Sequence, residues 1–173
     1  TNETRRLAAQ YQVTSILAEA DNLTEAAPQV LDVLLQNMEW DYGTIWRAER
    51  FTDELKCIEI RSRSGAVDDP FLTACRKKIH KMGEGLPGRV LVEKTHLIGQ
   101  AEEDGLHRLG FPIIHGDRVV GVLKFYHTEI LPPDENLIRM MTSIGSQLGL
   151  FIEKEQLEQQ FRQSQKLEAI GRL

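Results

Sequence analysis

The first forty residues carry apolar positions at helical spacing. Over residues 7–20, apolar or small side chains recur mostly every three or four positions with polar residues between them, which predicts an N-terminal helix. Residues 21–24 interrupt this pattern, and Thr24 is a good N-cap for a second helix. That second helix carries an apolar stripe that must be buried against another element, formed by Val30, Leu31, Leu34, Leu35 and Met38.

The pattern then changes to the period of two that is typical of strands. Residues 42–48 and 55–62 flank a turn-like segment, which predicts an antiparallel hairpin. Residues 95–98 predict a short strand, and two longer strands at 106–114 and 118–127 are predicted around a glycine-containing turn. Within the last strand, Gly121 allows a neighbouring backbone or a ligand to approach closely.

Between the two groups of strands, the sequence predicts a helix and then a sharp corner. Asp68, Asp69 and Pro70 begin the helix, and one of its sides carries Phe71, Leu72, Cys75 and Ile79. Residues 83–90 follow, with three glycines and a proline that turn a loop into a short helix. The corner is either purely structural or a ligand-facing loop, and its spacing matches neither common nucleotide-phosphate motif.

A long C-terminal helix completes the pattern. Residues 131–134 end the sheet, and Asp134 can cap a helix that runs about 40 residues, or roughly 60 Å, to the end of the chain. Beyond Ile152 the apolar positions become sparse, which favours a dimeric coiled coil over a solvated single helix. The spacing of three and four residues is kept by Leu150, Leu157, Phe161 and Ser164, whereas Leu167 and Ile170 fall outside this register.

Composition and charge narrow the class of protein. The 173 residues carry a net charge of −5 and no basic face interleaved with aromatics, which argues against nucleic-acid binding. Only Cys57 and Cys75 are present, without the spacing of a disulfide framework or a zinc site, so we expect a reducing, cytoplasmic setting. We expect no membrane span in these residues, and the polar N-terminus is typical of a segment cut from a longer protein.

The candidate chemistry is sparse. The histidines lack metal-ligand spacing, so the sequence predicts no metal site and requires no cofactor: they are His80, His96, His107, His115 and His127. Neighbouring carboxylates at 68–69 and 102–104 lie in polar stretches and are expected to be solvated. We therefore predict no catalytic residues in this chain.

Four segments together resemble the GAF domain, a small sensory fold. They are Trp40-Asp41-Tyr42-Gly43, Gly85-Leu86-Pro87-Gly88-Arg89-Val90, Gly110-Phe111-Pro112-Ile113 and the strand from Val119 to Tyr126. The resemblance implies an α+β fold, with a GAF-like central antiparallel sheet of about five to six strands flanked by helices and with long N- and C-terminal signalling helices. The implied division is an N-terminal linker helix at 1–23, the GAF-like domain at 24–153 and a signalling helix at 154–173.

The GAF resemblance also implies a pocket between one sheet face and residues 71–90. The candidates to line it are Trp46, Phe71, Cys75, Leu86, Val90, Phe111 and Leu123, each of which can instead serve core packing. The signature of cyclic-nucleotide-binding members is absent, as are a bilin attachment site and the cysteine set of the GAF-type methionine sulfoxide reductases. The segment between Ile98 and Leu106, which is usually longer, is either a reduced lid or lacks a mobile loop.

A second resemblance concerns residues 164–173, which look like the opening of the dimerisation and phosphoacceptor helix of a bacterial sensor histidine kinase. That family would place its phosphorylated histidine beyond Leu173, so the fragment itself is expected not to be an enzyme. The implied partners are a second copy of the chain, the kinase core of the parent protein, a response regulator and a small-molecule ligand. The dimer contacts would come from Leu7, Tyr11, Leu150, Leu157, Phe161 and Ser164.

Three functions therefore stay open. The leading hypothesis is a regulatory sensory module that passes ligand or upstream signals through a helical dimer to a kinase. The alternative is a ligand-free dimerisation and relay domain, with a chromophore or haem sensor of unknown ligand also open. An enzyme in its own right has no residue set to support it.

Overall fold

The chain alternates helices and strands in an α+β arrangement. A computed structural model describes residues 1–129 and 132–172. In chain order the elements are α1 (Asn2–Glu19), α2 (Leu23–Met38), β1 (Tyr42–Ala48), β2 (Glu54–Ser62), α3 (Pro70–Arg76), β3 (Ile79–Lys81), α4 (Gly85–Glu93), β4 (Leu97–Gly99), β5 (His107–His115), β6 (Arg118–His127) and α5 (Glu135–Gly171). The predicted fold class is confirmed.

The six strands form one sheet with antiparallel neighbours in the order β3-β2-β1-β6-β5-β4. The central pair joins the two hairpins, because β1 pairs along β6 from Tyr42 opposite Tyr126 to Arg47 opposite Gly121. Gly121 is required there: a Cβ at this position would collide with the backbone oxygen of Trp46. The predicted close approach is therefore confirmed, and the approaching group is backbone.

The two faces of the sheet are covered by different helices. The larger core lies under α1, α2 and α5 and includes Leu31, Phe111, Leu123, Phe125 and Ile144. The opposite face packs against α3 and α4, through two smaller clusters. Because only short elements cover this second face, space is left between it and the helices.

The helix α5 approaches the backbone of β5 closely at two glycines. At Gly145 a Cβ would collide with the carbonyl oxygen of Pro112, and at Gly149 with that of Ile114. Asp134 caps α5 as predicted, with its carboxylate accepting from the backbone of Leu137 at 2.8 Å. The helix then continues for 37 residues, about 56 Å at 1.5 Å per residue.

Two local predictions were wrong. The N-cap of α2 is Asn22, whose side chain accepts from the backbone N–H of Glu25 at 2.9 Å, so Thr24 lies inside the helix. Ile79 does not lie on the buried side of α3: it belongs to β3, opposite Lys56, and is 53% exposed. The predicted roles of Leu131 and Leu173 concern residues outside the described part of the chain.

Candidate functional site

The second face of the sheet borders a cavity of about 780 Å³. Its floor is formed by β5 and β6, its roof by α3, β3 and α4, and its rim by residues 98–102 and 104. The rim segment between Gly99 and Leu106 is short and contains a turn at 103–104. A volume of this size is in the range of small-molecule sites.

Lys124 lies on the floor of the cavity. Strand alternation in β6 turns its side chain away from the main core, and the residue is only 7% exposed. Within residues 1–129 and 132–172, its ammonium group has neither a carboxylate nor a hydrogen-bond acceptor as partner. It lies over the ring of Tyr126, 4.8 Å from the centroid. Burial, followed by the charge of Arg108, lowers the pKa of Lys124 to about 8, so it is mostly protonated at pH 7.

Arg108 approaches the same place from the neighbouring strand. Its guanidinium donates to both carboxylate oxygens of Asp104, at 3.1 and 2.7 Å, and to the carbonyl of Leu106 at 2.8 Å. A further ion pair joins it to Glu102 at 3.0 Å. The hydrogen bond from Arg108 holds the pKa of Asp104 below its usual value. These contacts leave the buried Nε of Arg108 without a partner among the described residues.

His80 contributes a third nitrogen. Its ring meets the indole of Trp46 edge-on at 4.7 Å, and its buried Nε2 has no partner in the described part of the chain. Burial lowers the pKa of His80 to about 4, with the charge of Lys124 acting in the same direction. The imidazole is therefore neutral at pH 7 and can donate one hydrogen bond.

Aromatic side chains form one wall of the cavity. Phe71 meets Tyr126 edge-on at 4.9 Å and packs on Tyr42 at 4.4 Å. The hydroxyl of Tyr42 donates to Asp69 at 2.6 Å, which ties the start of α3 to β1. Burial raises the pKa of Tyr126, whose hydroxyl lies 3.9 Å from the sulfur of Cys75. This wall offers an apolar surface next to the cationic floor.

The structure brings three of the seven predicted pocket residues to the cavity: Phe71, Cys75 and Leu86. Trp46 and Val90 lie in the apolar cluster beside it. Phe111 and Leu123 do not line the cavity, because they point into the main core on the opposite face of the sheet.

Sequence reasoning missed the polar floor. A lysine inside the otherwise apolar run 119–126 was the available indication, since alternation places Lys124 on one face with Val122 and Tyr126. Arg108 and His80 gave no comparable indication, because they approach the cavity from other strands.

The predicted dimer residues all lie on the surface. On α1 these are Leu7 and Tyr11, and on α5 they are Leu150, Leu157, Phe161 and Ser164. Leu157 is 55% exposed and Phe161 is 64% exposed, which is unusual for large apolar side chains on one helix face. Dimerisation through them stays a prediction.

The described residues lack two other kinds of site. Among the described residues there is no group of three or more His, Cys, Asp or Glu side chains placed to hold a metal ion. No helix in residues 1–129 and 132–172 combines the length and the apolar character that crossing a bilayer requires.

Comparisons with solved structures agree on the fold. The GAF domain of a phosphoenolpyruvate-protein phosphotransferase from Coxiella burnetii is 20% identical, with a TM-score of 0.76 over 91% of this chain and 98% of that chain. The equivalent domain from Acinetobacter is 14% identical, with a TM-score of 0.76 over 90% and 97%. The free methionine-R-sulfoxide reductase of Neisseria meningitidis, solved with its substrate, is 14% identical, with a TM-score of 0.72 over 88% and 91%.

At these identities the likeness establishes the fold alone. No curated protein sequence matches the chain. The family profile described as GAF domain, however, matches residues 20–153, which is well over half of the chain. The chain therefore belongs to the GAF domain family.

Proposed function

We propose that this chain is the regulatory sensory and relay module of a cytoplasmic sensor histidine kinase of a two-component system. In this proposal, a small molecule in the 780 Å³ cavity changes the position of α5. A homodimer of terminal helices passes that change to the kinase core and, through it, to a response regulator. The observation that carries the proposal is the strand β5, which contacts both the cavity and α5.

The two faces of β5 have different neighbours. On one face, Arg108 lines the cavity and holds the rim through Asp104. Further along the strand, the backbone at Pro112 and Ile114 meets α5 at Gly145 and Gly149, which carry no side chain. Because packed interiors resist compression, a displacement of β5 by a few tenths of an ångström must move α5 as well.

The far part of α5 supports an output role. Glu155 still contacts β1 through an ion pair with Arg47 at 4.0 Å, and from Leu157 onward the described residues of α5 are exposed, including the large apolar ones. An exposed stripe at 3-and-4 spacing is typical of a helix that pairs with a second copy. Residues 164–173 resemble the opening of a kinase dimerisation helix, which supports a kinase as the domain that receives the signal from α5.

The cysteines favour a regulatory role over the redox catalysis of the sulfoxide reductase neighbour. Burial raises the pKa of the Cys57 thiol to about 12, and Cys75 is buried. A thiol held in its neutral form is a poor nucleophile. The fragment is therefore proposed to have no catalytic activity of its own.

The alternative, a ligand-free relay, requires a cavity filled by side chains. The open volume and the partnerless polar atoms around it favour a bound ligand instead.

The proposed dimer is tested by placing charge on the exposed stripe. Leu157→Glu combined with Phe161→Glu should shift the chain from dimer to monomer in analytical ultracentrifugation, because two carboxylates per helix would face their copies. The matched control is Gln159→Glu with Gln163→Glu, which adds the same charge about half a turn away and should stay dimeric. A wild-type chain that is monomeric at about 100 μM, or a dimer that survives the first pair, would overturn the proposal.

The link to a kinase is tested by insertions after Ile152 in the proposed parent kinase. One added residue rotates the following helix face by about 100° and should change autophosphorylation, whereas seven added residues nearly restore the face and should have a much smaller effect. Equal output from both insertions would show that the helix does not carry the signal.

A further inference from the structure

We propose that the cavity binds a small organic anion, with its carboxylate or phosphate group placed between Nζ of Lys124 and Nε of Arg108. This deepens the proposed function, on which it rests in taking this cavity as the ligand site. The argument depends on the unpaired nitrogens, on the charge of the lining and on the apolar wall.

Lys124 is poorly explained by packing alone. A lysine that is 7% exposed must give up most of the hydration of its ammonium group, and among the described residues its nearby carboxylates, Glu102 and Asp104, pair with Arg108 and not with it. Leucine or methionine at this position would fill the same space at lower cost in free energy. A buried cation at the floor of a cavity is explained if a negatively charged group occupies the space in front of it.

Arg108 and His80 bring two more buried nitrogens to the same cavity. Asp104 and Glu102 hold the terminal nitrogens of Arg108, so its guanidinium plane is fixed while Nε stays without a partner in the described chain. Nε2 of His80 is likewise buried without a partner. Each nitrogen can donate to an anionic oxygen, and a buried donor without an acceptor is a source of binding energy.

The charge of the cavity is opposite to that of the chain. Four cationic side chains line it, and the only carboxylates among its lining residues are the two that hold Arg108; the cations are Lys78, Arg89, Arg108 and Lys124. The whole chain has a net charge of −5. A positive cleft with low-dielectric walls concentrates anions and repels cationic ligands.

The remaining surface suits the carbon part of such a ligand. Phe71, Leu86 and Ile98 border the cavity beside the cationic floor. An ion without a carbon body would leave this wall in contact with water, so an organic anion uses more of the available surface than an inorganic one.

The test uses two simple probes, inorganic phosphate and succinate, titrated into the chain by NMR with detection of the lysine ¹³Cε signals. At least one probe should bind the wild-type chain and shift the Lys124 signal. Lys124→Met, which keeps the length of the side chain and removes the charge, should weaken that binding by about tenfold or more. Lys77→Met is the matched control, since Lys77 is an exposed neighbour of a lining lysine, and it should bind within about twofold of wild type.

The outcomes separate the two proposals. Stronger binding of phosphate or of succinate indicates which kind of anionic group the natural ligand carries. If neither probe binds at about 50 mM, or if Lys124→Met binds as well as wild type, the anion site is wrong. Ultracentrifugation of the same samples tests the proposed dimer separately. A dimer that the Leu157→Glu, Phe161→Glu pair disrupts, but that binds no anion, would support the relay and overturn the anion site. A monomer that binds the anion would support the site and overturn the relay.

Discussion

Lys124 shows how a single residue can serve a ligand site at the expense of stability. Its neighbours along β6 are apolar, and its ammonium group is removed from water without an ion-pair partner in the described chain. The lowered pKa expresses this cost, because the protonated form is disfavoured in the folded state relative to the unfolded state.

We expect Lys124→Met to raise the free energy of unfolding at pH 7 by about 1–3 kcal/mol. The folded pKa of about 8 lies below the ordinary value of 10.5, so the cost is full below pH 8 and disappears as pH rises to 10.5. The charges that act on this group are those of Arg108, Cys75, Glu102 and Lys78. Urea unfolding of both proteins between pH 6 and 10.5 measures the difference.

Comparison with the variant removes the effects of groups common to both proteins. Cys57, for example, has a pKa raised to about 12 and opposes the rise in stability above pH 9 in both proteins. A variant that is less stable than wild type at pH 7 would show that Lys124 contributes more through its contact with the Tyr126 ring than it costs through burial.

At the scale of elements, α5 and β5 are packed backbone against backbone at two positions. Glycine at 145 and 149 allows helix backbone to lie on strand backbone, which is closer than any pair of side chains would permit. At Gly171, near the end of the helix, a Cβ would instead meet nothing within 4 Å.

Gly149→Ala should therefore lower the free energy of unfolding by about 1–3 kcal/mol, because the added methyl group would overlap the Ile114 carbonyl. Gly171→Ala is the matched control and should be neutral or slightly stabilising, since alanine is the better helix former. Thermal and urea unfolding measure both. Equal stability of the two variants would mean that α5 can lift from β5 at little cost.

Local pattern predicted the elements better than it predicted the site. The bounds of β1 at Tyr42 and Ala48 were predicted from β-branched and aromatic composition alone. Ile79 was assigned to a helix because a three-residue edge strand is too short to show alternation.

The pocket residues were harder to predict than the elements. Alternation groups Phe111 and Leu123 on one face of the sheet, yet it does not say whether that face meets the main core or the cavity. Arg108 and His80 approach the cavity from separate strands, a convergence set by topology.

At the scale of the whole molecule, α1 and α5 run side by side in the same direction. Their contacts keep a constant offset of 133 residues: Glu3 to Asn136, Gln10 to Ser143 and Thr14 to Gln147. A bidentate pair between Arg6 and Asp134 at 2.8 Å joins the helices near their starts. The two helices therefore form a fixed pair on one side of the sheet.

Hydrogen exchange should show which part of α5 is protected by a second copy of the chain. In the proposed dimer, amides of residues 157–171 should be protected at high protein concentration and exchange faster on dilution, because that part of α5 is exposed in the single chain. Amides of β5 and β6 should exchange slowly at every concentration. Protection of 157–171 that does not depend on concentration, and that persists in the Leu157→Glu, Phe161→Glu variant, would contradict pairing between copies.

The shared direction of α1 and α5 bears on how such domains can be combined in tandem. A helix that arrives at α1 and a helix that departs from α5 point the same way, so the exit of one copy has the orientation that the start of a second copy needs. A gene that duplicates or deletes the domain would leave the polarity of the flanking helices unchanged. The fold can therefore be added to or removed from a helical array as a cassette, provided that the linking helix keeps its rotational phase.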